Sequence, residues 1–230
     1  MENKITHVGI IMDGNRRWAK EKNLKSLEGH RAGADRICSL AKYVFDKGIK
    51  YLSIYAFSTE NFNRSVEEVG YLMDLLIATF NNKLKNLAKD NIRVVFSGRR
   101  ENLSDKVLAC IDKVTELTKN NTGGTLNVCF NYGSKSEIVD ACNKLIKDNK
   151  EITEENISKY LYQDIPPLDL VIRTSGEYRL SNFMLWQASY AELYFTKVYF
   201  PDFDEHEFDL ALDEYNHRHR RFGGNWWKKE

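Results

Sequence analysis

The chain has 230 residues, with 34 Lys and Arg against 33 Asp and Glu and a formal charge of +1 at pH 7. At this size, area scaling lets one domain spanning 1–230 bury roughly 70% of the surface of the open chain, and 42% hydrophobic with 29% charged residues excludes wholesale disorder. The balanced charge excludes the strongly basic face of a nucleic-acid binder, so no nucleic acid is expected as a partner.

In chain order, apolar runs of strand length alternate with helical patterns. Strands are predicted over 7–12, 51–57, 93–97, 126–132 and 168–173. Helices are predicted over 30–47, 66–89, 103–119, 135–148, 153–161 and 204–219. Several of the strand runs are apolar throughout, as parallel strands covered on both faces are. No linker, repeat or low-complexity segment interrupts them. The expected fold is a single α/β domain with a mostly parallel central sheet of about six strands flanked by helices.

Residues 1–4 are polar and the first apolar run ends at Asp13, so no export signal is readable and the cytoplasm is the expected location. No stretch reaches the roughly 18 apolar residues of a membrane span, so any membrane contact would be peripheral. Cys38, Cys110, Cys129 and Cys142 are far apart in apolar contexts and read as buried thiols.

The helix over 66–89 carries two apolar faces. Val69, Leu72, Met73, Leu76, Phe80, Leu84 and Leu87 form the ordinary core stripe. Tyr71, Leu75, Ile77 and Ala78 add a second face, which fits burial on both sides, a dimer contact or the wall of a pocket for a greasy ligand.

In parallel α/β sheets ligands bind beyond the carboxyl ends of the strands, and here those ends are rich in polar chemistry. The first strand runs into Asp13-Gly14-Asn15-Arg16-Arg17-Trp18, where an acid could hold a cation while backbone N–H groups and guanidinium forks hold phosphate oxygens. The second runs into Ser58-Thr59-Glu60-Asn61-Phe62-Asn63-Arg64. The third candidate is Arg173-Thr174-Ser175-Gly176-Glu177-Tyr178-Arg179-Leu180-Ser181-Asn182. A weaker one is Asn131-Tyr132-Gly133-Ser134. Arg16, Arg17, Arg64, Arg173 and Arg179 on one rim of a nearly neutral protein imply a polyanionic ligand. No nucleotide-binding glycine loop of the P-loop or dinucleotide type occurs.

Five motifs together resemble the cis-prenyltransferases: residues 7–19 around Asp13-Gly14-Asn15, Gly29-His30-Arg31-Ala32-Gly33, Tyr55-Ala56-Phe57-Ser58-Thr59-Glu60-Asn61, Arg173-Thr174-Ser175-Gly176-Glu177, and 218–224. The resemblance runs over nearly the whole chain and is strongest to the bacterial undecaprenyl diphosphate synthases. It implies a homodimeric, Mg²⁺-dependent transferase with an apolar tunnel, adding isopentenyl diphosphate units to farnesyl diphosphate with cis geometry. The implied role is making the lipid carrier for cell-wall sugars, with peripheral contact at the inner face of the membrane for product release.

By the same resemblance Asp13 binds the metal and the allylic diphosphate, and Asn61 matches the position assigned as proton acceptor. A neutral amide is almost without basicity, so Asn61 orients a relay to Asp13, Glu60 or a diphosphate oxygen. Gly14, Asn15, Arg16, Arg17, Trp18, His30 and Arg64 surround the allylic diphosphate, beside Ser58, Thr59, Glu60 and Phe62. Arg173, Arg179, Leu180 and Ser181 hold isopentenyl diphosphate, and Glu192 matches a second metal ligand. The tail, about 217–230, is expected to reach the partner subunit, with Arg221 and Gly223 as trans contacts.

Ser26, preceded by Lys25, stands where the family commonly has arginine, and Gly133-Ser134-Lys135 stands for a common Gly-Gly-Arg. Lys25 could supply the missing contact. A medium- or short-chain cis-prenyltransferase, a non-catalytic subunit of a heteromer and a Mg²⁺-dependent phosphoryl-transfer enzyme are the alternatives.

Overall fold

A computed structural model describes residues 5–218, with the backbone alone for 83–88. The strands are β1 (His7–Ile11), β2 (Tyr51–Ser58), β3 (Ile92–Ser97), β4 (Gly124–Tyr132), β5 (Leu170–Arg173) and β6 (Glu192–Phe195). They form one six-stranded sheet in the order β3-β4-β2-β1-β5-β6, and every neighbouring pair is parallel. The helices are α1 (Asn15–Glu21), α2 (Ser26–Asp46), α3 (Val66–Lys89), α4 (Asp105–Thr118), α5 (Ser134–Lys147), α6 (Glu154–Tyr160) and α7 (Glu205–Asn216). The single-domain α/β expectation stands.

Strand side chains alternate between two cores, as the period of two requires. Val8 and Ile10 of β1 and Leu170 and Ile172 of β5 face the larger one, built with α2, α3, α4 and α7. Ile11 and Val171 face a smaller one with Phe183 and Met184, on the other side of the sheet. Cys110 and Cys129 are buried as expected, whereas Cys38 and Cys142 are half-buried.

Two elements have no counterpart among the predicted ones. Helix α1 is seven residues long, has no side-chain cap and shows no apolar stripe. What holds it is the approach of α2: a Cβ at Gly29 would lie 2.0 Å from the Asn15 carbonyl oxygen, and one at Gly33 would lie 2.4 Å from Asn15 Oδ1. The glycine pair one helical turn apart is therefore a packing groove for the start of α1. Strand β6 is an edge strand of four half-exposed residues, too short and too mixed to stand out by periodicity. Helix α2 also starts earlier than predicted, where the Glu28 side chain accepts the Lys25 N–H at 2.9 Å.

A string of buried polar groups crosses the sheet at mid-height. His7 Nδ1 is 2.7 Å from the Pro166 carbonyl, which can only accept, so Nδ1 carries the proton and Nε2 accepts from Ser53 Oγ at 2.7 Å. Asn127 Nδ2 donates to Ser53 Oγ at 2.9 Å, and Ser97 Oγ donates to Asn127 Oδ1 at 2.8 Å. Burial pushes the His7 imidazole down to about 4, so it is neutral at pH 7.

Candidate active site

Strands β2, β1 and β5 are neighbours, so the loops leaving their carboxyl ends meet at one edge of the sheet. After β1 the chain turns sharply at Gly14, whose φ of 101° is left-handed and whose missing Cβ leaves room for the Ser175 and Tyr199 side chains. Thr174 Oγ1 accepts the Asp13 N–H at 3.0 Å and donates to the Asp13 carbonyl at 2.7 Å, fixing that backbone from β5. The Asp13 carboxylate accepts the Gly14 N–H at 2.7 Å on Oδ1 and Arg173 Nη2 at 2.9 Å on Oδ2, with Arg17 Nη2 3.4 Å away.

The Arg173 side chain is only 5% exposed. Its Nη1 donates to Ser181 Oγ at 2.8 Å and to the Arg179 carbonyl, while its Nε is buried without a partner. The loop that holds it is strained: Ser175, Ser181 and Asn182 all have positive φ. After β2, Asn61 Oδ1 accepts the Ser58 N–H at 3.1 Å and closes the 3₁₀ turn Thr59–Asn63. Burial pushes the Glu60 carboxyl up, but hydrogen bonds from its own backbone and from Asn182, Ser58 and Thr59 outweigh this and leave it below the ordinary range.

Two polar clefts meet here, of about 560 and 630 Å³. They share Asp13, Asn15, His30 and Arg64. One adds Ser58, Asn61, Arg173 and Ser181; the other adds Arg16, Arg17, Lys20 and Ser26. Beneath them, between α2, α3 and the sheet, lies an apolar cavity of about 120 Å³, walled by residues such as Ile37, Ala41, Leu76, Leu126 and Val128. Met12, Asn15 and His30 line all three spaces, so the cavity and the clefts adjoin. From the second face of α3 only Leu75 reaches the cavity wall; Leu72, Leu76 and Phe80 of the core stripe line it too.

Not every predicted residue converges. Trp18 turns away, donating Nε1 to Asp202 at 2.7 Å. Phe62 packs edge-on against Phe57, and Leu180 joins the smaller core. The Arg179 side chain is exposed and pairs with Glu177 at 2.6 Å. Ser26 lines the cleft, while Lys25 is absent from the cleft wall. Within one chain Glu192 does not meet Asp13: it pairs with Leu170 at the far end of β5 and accepts Arg218 at 3.0 Å. In strand register Glu192 lies level with Val8, near the opposite end of β1 from Asp13. Arg221 and Gly223 lie outside the described residues.

One participant escaped the sequence reading. Glu68, on the first turn of α3, accepts Arg64 Nη1 at 2.9 Å and lies 3.4 Å from His30 Nε2 and 3.8 Å from Arg16 Nη1. Burial, then the Arg64 charge, lowers the His30 basicity below its ordinary value. The only sequence signal was the i,i+4 spacing from Arg64.

Among the described residues no three His, Cys, Asp or Glu side chains cluster to cage a metal. Mg²⁺ does not need such a cage, because it keeps waters and bridges one carboxylate to substrate phosphates. Asp13 suits that mode: its two oxygens have about four acceptor positions, and the contacts above leave some of them free. No helix of the described residues is long and apolar enough to cross a membrane.

A family model described as "Putative undecaprenyl diphosphate synthase" matches residues 11–223. An isoprenyl transferase of Fusobacterium nucleatum is 55% identical over 226 residues, covering 97% of this chain and 98% of that one. An isoprenyl transferase of Thermotoga maritima is 47% identical over 95% of this chain and 96% of its own length. The crystal structure of lavandulyl diphosphate synthase from Lavandula x intermedia, in complex with dimethylallyl diphosphate, superposes with a TM-score of 0.91 at 34% identity, covering 95% of this chain and 98% of that one. A probable undecaprenyl diphosphate synthase from Campylobacter jejuni gives 0.84 at 33%, covering 96% and 99%.

Proposed function

The chain belongs to the undecaprenyl diphosphate synthase family of prenyltransferases, and from that membership we propose that it elongates farnesyl diphosphate with isopentenyl diphosphate to a long polyprenyl diphosphate. The observation that carries this reading is the junction of two polar clefts, one of them strongly cationic, with one apolar cavity at Met12, Asn15 and His30. Such a junction suits a substrate with a diphosphate head and a hydrocarbon tail. The tail would run down the cavity, which would act as the tunnel for the growing chain, as the proportion of apolar wall favours.

Asp13 would hold Mg²⁺ together with the allylic diphosphate, and the cation would neutralise charge on the leaving group. Arg16, Arg17, Arg64 and His30 would take the phosphate oxygens on that side. Arg173 and Ser181 would hold isopentenyl diphosphate, with the Arg179 carbonyl fixing Arg173. As the allylic C–O bond breaks, the isopentenyl double bond supplies the electrons of the new C–C bond, and a proton then leaves the adjacent carbon. Asn61 cannot take it: its Oδ1 is committed to the Ser58 N–H, and an amide has almost no basicity. The proton goes to an anionic oxygen in the cleft, on Glu60, Asp13 or the released diphosphate, and Asn61 orients the reacting groups.

A homodimer with the tail crossing to the partner, the cytoplasm as location and a passing membrane contact for product release complete the proposal. The test is incorporation of labelled isopentenyl diphosphate into solvent-extractable lipid with farnesyl diphosphate and Mg²⁺, followed by chromatography. A product of about eleven isoprene units supports the long-chain reading; about four, a single addition to the three-unit primer, would favour a short-chain enzyme, and no labelled product would overturn prenyl transfer.

A further inference from the structure

A carboxylate beside a site for anions is electrostatically unfavourable unless it does something else, and Glu68 is such a group. Its side chain is 15% exposed, yet it forms no part of either cleft wall. It stands behind Arg64 and His30 and touches both through the same oxygen, Oε1, while Oε2 faces Arg16. His30 is 11% exposed and its Nε2 has no aligned hydrogen bond, so its orientation rests on packing and on this near contact. Arg64 and His30 line both clefts, and Arg16 lines one.

Long arginine side chains lose rotamer freedom when they clamp an anion. If another group already holds them, that loss is complete before the ligand arrives, which is preorganisation. We propose that Glu68 is a positioning residue of the allylic-diphosphate cleft, holding Arg64 and His30, and Arg16 more loosely, in the arrangement that a diphosphate completes. This rests on the assignment of that cleft to the allylic diphosphate. The carboxylate touches no reacting atom; it acts through the three side chains it gathers.

The experiment compares Glu68→Gln and Glu68→Ala with the unaltered chain. Calorimetry with inorganic pyrophosphate reads binding, steady-state kinetics reads both substrates, and thermal unfolding reports the fold. Glu68→Ala is expected to weaken pyrophosphate binding and raise the farnesyl diphosphate KM about 10- to 100-fold, the range seen when the outer partner of a metal-binding side chain is lost, with a clearly smaller rise for isopentenyl diphosphate because Arg16 lines only one cleft. Glu68→Gln, whose Oε1 still accepts from Arg64, should recover part of that loss. Equal changes in both KM values, tighter pyrophosphate binding without the carboxylate, or Gln no better than Ala would each overturn the proposal. Should Glu68→Ala not fold, unchanged pyrophosphate binding and kinetics in Glu68→Gln would overturn it, and weaker binding, greater on the farnesyl side, would support it. Absence of prenyl transfer by the unaltered chain would instead refute the function above, and the pyrophosphate measurement would still decide the role of Glu68.

Discussion

At the amino end of β1, His7 is fully buried, neutral, and engaged through both ring nitrogens, and Ser53, Asn127 and Ser97 extend that network across the sheet. At the carboxyl end of the same strand, Asp13 is charged and half-buried, and four buried polar atoms around it have no hydrogen-bond partner: Asn15 Oδ1, His30 Nε2, Arg173 Nε and Ser175 Oγ. Buried polar groups are normally satisfied, because each orphan costs about 1–3 kcal/mol. The network from the amino end obeys the rule, whereas around the carboxyl end it is broken at Asn15 and His30 at the starts of α1 and α2 and at Arg173 and Ser175 at the end of β5. The first network is neutral and complete; the second leaves its polar groups unpaired, which is what the proposed diphosphate cleft requires of them.

The largest effect should come from the charge at the carboxyl end. Asp13→Asn keeps an acceptor for Arg173 and the Gly14 N–H but cannot anchor a cation as a carboxylate does. Turnover measured with labelled isopentenyl diphosphate should fall by a factor of about 10³ or more, while the melting temperature moves by only a few degrees. Turnover near that of the unaltered chain would place the cation elsewhere.

Acid should break the other end. The folded His7 titrates at about 4 and an unfolded histidine at about 6.5, so between these values the unfolded chain binds a proton that the fold refuses. The contribution of neutral His7 is fully present above about pH 6.5 and is lost as pH falls toward 4, by up to about 3 kcal/mol. Denaturant titrations at pH 7 and pH 4.5 should show the loss, and His7→Gln should flatten that part of the curve. An equally steep curve in His7→Gln would move the effect to other groups.

Arg173→Ala separates the two clefts. Losing charge-assisted contacts costs about 1.5–3 kcal/mol, so the isopentenyl diphosphate KM should rise roughly 10- to 150-fold, with a much smaller change for farnesyl diphosphate. A parallel rise for both substrates would merge the two clefts into one site.

The smallest effect has the opposite sign. Ser175 has φ 78°, a conformation glycine adopts freely, and its buried hydroxyl has no partner. Ser175→Gly should relieve strain and raise stability by about 1 kcal/mol, or about 2–4 °C in melting temperature for a chain of this size. A lower melting temperature would mean that the hydroxyl contributes to packing around Gly14 and Tyr199.

Sequence alone carried the large features because they repeat along the chain. The apolar runs that became β1 to β5 are near-continuous because both faces of the sheet are covered, and the stripe of α3 is a period-3.6 signal that burial of one face enforces. Asp13, Asn61 and Arg173 were legible as chemistry out of place, charged or amide groups immediately after apolar strands. Strand β6 and helix α1 were not, because each is short and is held by neighbours: β6 by pairing with β5, α1 by the groove at Gly29 and Gly33.

What the amino-acid order settled by itself was which residues could be buried, where the strands end, and which motifs follow them, since those depend on local pattern and residue chemistry. Which polar groups meet was decided in three dimensions. The sheet order sets β5 beside β1, so Arg173 closes on Asp13 across 160 residues of chain; the register of β6 sets Glu192 away from it; and the turn of α3 swings Glu68 behind Arg64 and His30. Distances across a fold arise from packing and register between segments remote in sequence, and a linear pattern contains the segments without the register.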